Sequence, residues 1–108
     1  MKLSLMERLI ALELLPKEGD WSGMKEVRKS REVLNFNAEE MEKFDVKQVE
    51  GGYVSWNSDG QAYIADLPLS EWATTQIQEA LRKKNHDKKL TERDLPVYQK
   101  FIVDYDQV

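Results

Sequence analysis

The spacing of apolar residues changes period twice along this chain, and that change limits the fold more than any other feature. From Leu5 to Phe44 the apolar positions recur at helical intervals. Between Val46 and Leu67 they alternate, with the strand-favouring residues Tyr53, Val54, Trp56, Tyr63 and Ile64. Beyond Ser70 the helical interval returns. Helices, then strands, then helices is the order of an α+β domain. With 108 residues and 41% hydrophobic content, one domain spanning residues 1–108 is expected, with a core that needs neither disulfides nor metal.

Local signals divide the helical parts. Ser4 and Glu7 form a capping box for a helix over residues 5–15, with Leu5, Met6, Leu9, Ile10 and Leu12 on its apolar face. Pro16 stops it. A loop over residues 16–23 leads to a second helix, predicted from Met24 to Leu34 with Ser22 as cap. Asn37 and Glu40 make a second capping box, starting a third, short helix that ends near Phe44, with Phe36 and Met41 as its hydrophobic staple.

Asn57-Ser58-Asp59-Gly60 reads as the turn of an antiparallel hairpin. Gly51-Gly52 reads as another turn, which would make Val46–Glu50 the third strand of a meander. Ser70 caps a fourth helix to about Lys84, with Trp72, Ala73, Ile77, Ala80 and Leu81 facing inward. Thr91 and Asp94 cap a fifth, carrying Leu95, Tyr98, Phe101, Ile102 and Tyr105 as its stripe. Pro96 requires either a later start or a distorted first turn.

Several chemistries lack the residues they need. With no cysteine, thiolate metal sites are excluded, and with His86, set in a polar turn, as the one histidine, the usual hydrolytic triads find almost no support. Phosphate-cradling glycine motifs are absent, so no cofactor is expected and binding is favoured over catalysis. At the N-terminus Glu7, Arg8 and Glu13 interrupt the apolar run, and no stretch reaches the roughly 20 apolar residues of a membrane span. A soluble, cytoplasmic protein without membrane contact is expected.

Net charge is -4, with each half of the chain at -2. That disfavours nucleic acid as partner. Two charged clusters remain as candidates. Glu39, Glu40 and Glu42, with the loop residue Trp21 as exposed anchor, would suit a protein partner. Lys25, Arg28, Lys29 and Arg31 on the second helix would suit a nucleic acid. Arg82, Lys83, Lys84, Lys88 and Lys89 surround a helix end, where cations offset the dipole.

Three helices followed by a hairpin is also the order of a winged-helix domain. Its groove-reading helix would be the acidic third one here, which argues against DNA reading. The stretches ERLIALELLPKEGDWSGMKEVRKSREVLNF, YVSWN and ALRKKNHDKKLTERDLPVYQKFI cover about half of the chain. On them the chain resembles small uncharacterised accessory proteins encoded by phages and prophages. That resemblance implies a protein that binds and inhibits a host factor or defence complex, in the manner of an anti-CRISPR. It implies no functional residues. Separately, a short exposed hairpin edge could pair two copies, so a monomer or a homodimer is expected.

Overall fold

The computed structural model describes residues 1–49 and 53–105. Its class is α+β. The elements run β1 (Lys2–Ser4), α1 (Leu5–Leu14), α2 (Trp21–Leu34), α3 (Ala38–Lys43), β2 (Lys47–Val49), β3 (Tyr53–Ser55), α4 (Ser58–Ala62), β4 (Ile64–Asp66) and α5 (Glu71–His86). A 3-10 turn (Glu92–Asp94), α6 (Leu95–Tyr98) and a π-helical turn (Gln99–Val103) follow without a break.

Every cap read from the first, third, fourth and fifth helical segments is present. Ser4 Oγ accepts from the Glu7 amide at 3.2 Å, and Asn37 Oδ1 from the Glu40 amide at 2.7 Å. Ser70 Oγ accepts from Ala73, while Asp94 Oδ2 accepts from both the amide and the hydroxyl of Thr91. The second helix starts three residues earlier than its spacing predicts. Asp20, not Ser22, is the cap, accepting from Gly23 at 2.7 Å.

The strand region departs from the predicted hairpin. Asn57 does not open a turn between strands; its Oδ1 accepts from the Gly60 amide at 2.9 Å and caps α4. A Cβ at Gly60 would stand 3.0 Å from Phe44 Cβ and 3.1 Å from Trp56 Cβ. The missing side chain lets this short helix lie directly on those rings. Tyr53–Ser55 and Ile64–Asp66 therefore belong to different sheets. β2 pairs with β3, antiparallel, with Gln48 opposite Val54. β4 pairs with β1, antiparallel, with Leu3 opposite Ala65. There is no three-stranded meander among the described residues but two separate two-stranded sheets. The predicted Gly51-Gly52 turn lies outside the described residues.

The core gathers Leu3, Ile10, Ala11, Leu15, Leu34, Ala73, Ile77, Leu81, Val97 and Phe101 from β1, α1, α2, α5 and the C-terminal segment. The C-terminal stripe is narrower than its spacing predicts. Val97 and Phe101 are buried, whereas Leu95 and Tyr105 are exposed. Pro96 falls in the first turn of α6, and the passage from 3-10 to α to π geometry changes the turn angle, so one interval does not hold one face. Met6, also predicted to face inward, is exposed.

Candidate functional site

The outer face of α2 is built by helical spacing. Val27, Ser30 and Leu34 point into the body, with Ser30 Oγ donating to the Glu26 carbonyl at 2.8 Å. The opposite stripe carries Trp21, Lys25, Arg28 and Glu32, at intervals of four, three and four residues. Met24 and Lys29 flank it. These six residues line an open groove of about 310 Å³. Trp21 is therefore not in a loop. It is the first residue of a helix whose cap is formed, yet its side chain is 80% exposed. Lys25 Nζ lies 5.8 Å from the centre of its ring, within cation–π range. Lys29 is 3.5 Å from Glu26; the lysine is exposed and the glutamate is partly buried. Arg31 is exposed but does not line the groove.

The other two tryptophans are held against the protein. Trp56 donates its indole N–H to Gln61 at 2.8 Å and meets Phe36 edge-on, with ring centres 6.4 Å apart. Trp72 is half-buried and packs on the core.

The acidic trio on α3 is divided by the fold. Glu39 and Glu42 are exposed, but Glu40 is buried. Its carboxylate accepts two hydrogen bonds from Arg8, 2.8 Å from Nη1 and 3.0 Å from Nη2, and another from its own cap amide at Asn37. Arg8 is itself 1% exposed. Its Nε donates to the Leu34 carbonyl at 2.9 Å and its Nη2 to that of Asn35 at 2.7 Å. The guanidinium also lies 4.8 Å from the centre of the Phe36 ring. One side chain thus ties α1 to the end of α2 and the start of α3. Hydrogen bonds from Arg8 hold the Glu40 carboxyl below its ordinary value of 4.5, against a smaller opposing effect of burial.

Sequence reasoning treated Arg8 as an interruption of an apolar run and missed this pair. A signal was present. Arg8 stands three residues after Leu5 and four before Leu12, on the inward stripe.

The basic cluster around the end of α5 is also partly engaged. Lys84 Nζ is 3.0 Å from the buried Asp94. Burial alone would raise the Asp94 pKa. The Thr91 amide, Lys84 and the Thr91 hydroxyl outweigh it and bring the carboxyl below its ordinary 3.8. His86 ends α5 in water.

Among the described residues, no group of three or more His, Asp or Glu side chains is placed to hold a metal, and no helix is long and apolar enough to cross a membrane. No family model, curated protein or solved structure matches this chain.

Proposed function

We propose that this chain is a binding protein that acts by protein–protein contact, with the outer face of α2 as its docking surface and Trp21 as its anchor. One observation carries this reading: an 80% exposed indole is fixed at a capped helix start while the other two tryptophans are packed. Exposed aromatics that become buried on association dominate interface energetics. Covering such a ring contributes about 4–6 kcal/mol before association entropy is subtracted. Lys25, Arg28 and Lys29, from the cluster whose sequence would suit a nucleic acid, share the face with Trp21.

The acidic face of α3 ranks second. It keeps Glu39 and Glu42 beside the exposed Met41, but Glu40 is occupied by Arg8. A phage-type accessory protein that inhibits a host factor in the cytoplasm is the setting we attach to this reading, supported by the three sequence stretches alone. The alternative is a winged-helix-like regulator of nucleic acid. It draws support from the β2–β3 pair following α3, and is weakened by the two exposed acids on that six-residue helix.

Affinity capture from a host lysate tests the docking surface. Trp21→Ala should lose the captured protein, and the Glu39→Lys/Glu42→Lys variant should keep it. Unchanged capture by Trp21→Ala rules the α2 face out.

A further inference from the structure

Resting on that docking surface, we infer the chemistry of what fits it: a short acidic peptide segment of a protein partner, with an apolar side chain on Trp21 and carboxylates on Lys25 and Arg28. Residues 21–34 hold four basic and two acidic side chains, so they carry +2, while the other 94 residues carry -6 of the chain's net -4. α2 is a positive stripe on a negative body. Of its cations, Lys29 is already near Glu26, whereas Lys25 is shared with an indole and Arg28 has no acidic partner within salt-bridge range among the described residues. An exposed guanidinium is the group suited to take a carboxylate with two parallel hydrogen bonds.

The length of the stripe limits the ligand. Trp21 to Glu32 spans about 17 Å of helix axis. Glu18 and Asp20 precede it and Glu32 closes it, all exposed. A long polyanion would run off the stripe onto these acids and meet like charge at both ends, and one aromatic offers a single stacking platform. A short acidic segment stays within the positive region. Met24 beside the indole supplies the adaptable apolar wall that such an anchor needs.

The test is a titration of the isotope-labelled chain, followed by amide and indole NMR signals. The probes are a capped Leu-Phe-Glu-Glu peptide, which keeps its carboxylates on the Lys25 and Arg28 side of the indole, its Lys counterpart and a short oligothymidylate, each at low and raised salt. The acidic peptide should shift the Trp21 indole and the α2 amides saturably and weaken with salt. Arg28→Glu should weaken it at least about tenfold. No shift in α2 with the acidic peptide, or saturation by the oligothymidylate in its place, overturns the inference. Capture from lysate separates its failure from that of the docking surface. If Trp21→Ala loses the partner and Lys25→Glu/Arg28→Glu keeps it, the surface stands and the acidic ligand falls. If neither variant changes capture, both fall.

Discussion

Arg8 and Arg28 lie twenty residues apart and have opposite fates. Arg8 is buried, and its donors are divided among Glu40 and two carbonyls that close α2. Arg28 stands in water beside an exposed tryptophan, with no acid in salt-bridge range among the described residues. The first is committed to holding three helices together and is unavailable to a partner. The second adds nothing visible to the fold. Charge by itself therefore does not mark a binding residue in this chain. What marks it is whether the fold has already supplied the counter-charge. The same division separates Glu40 from Glu39 and Glu42, although all three fall within four residues.

Mutations should widen this contrast in a definite order. Glu40→Ala leaves the Arg8 charge buried without its carboxylate and should cost about 3–5 kcal/mol in urea unfolding. Combining it with Arg8→Met should restore only part of that loss, because the Leu34 and Asn35 carbonyls lose their donor. Acid attacks the same pair. The folded-state pKa values of Glu40 and Asp94 are depressed, so their contribution is complete above the unfolded values. It is lost as pH falls through the folded ones. Stability should be level near neutrality and decline below about pH 4. A melt series that instead weakens between pH 8 and 6 contradicts this. Gly60→Ala involves packing without charge. Its Cβ would crowd Phe44 and Trp56, and a loss of about 1–2 kcal/mol should appear as a lower Tm. Trp21→Ala should change stability by less than about 0.5 kcal/mol while removing the binding partner.

What could be read in advance follows a physical divide. Capping boxes couple residues three apart, so Ser4–Glu7, Asn37–Glu40 and Thr91–Asp94 are visible in the order of the residues. Strand pairing is not local. Lys2 faces Asp66 across most of the chain, and three-residue β1 is too short to show alternation. Asn57-Ser58-Asp59-Gly60 satisfies two local rules at once. Asn followed by Gly serves a turn, and the same Asn caps a helix; contact of Gly60 with Phe44 and Trp56 favours the helix. Of the site residues, the exposure of Trp21 was legible from its polar neighbours, but its place on a helix beside Lys25 and Arg28 was not. Asp20 had to be recognised as the cap in place of Ser22.

The division between structural and available charge is tested most directly by urea unfolding of Arg8→Met and Arg28→Met side by side. Arg28→Met should match the unmodified chain to within about 0.5 kcal/mol, and Arg8→Met should lose about 3 kcal/mol or more. Equal losses would mean that the α2 stripe is part of the scaffold and that Arg28 is not free for a partner.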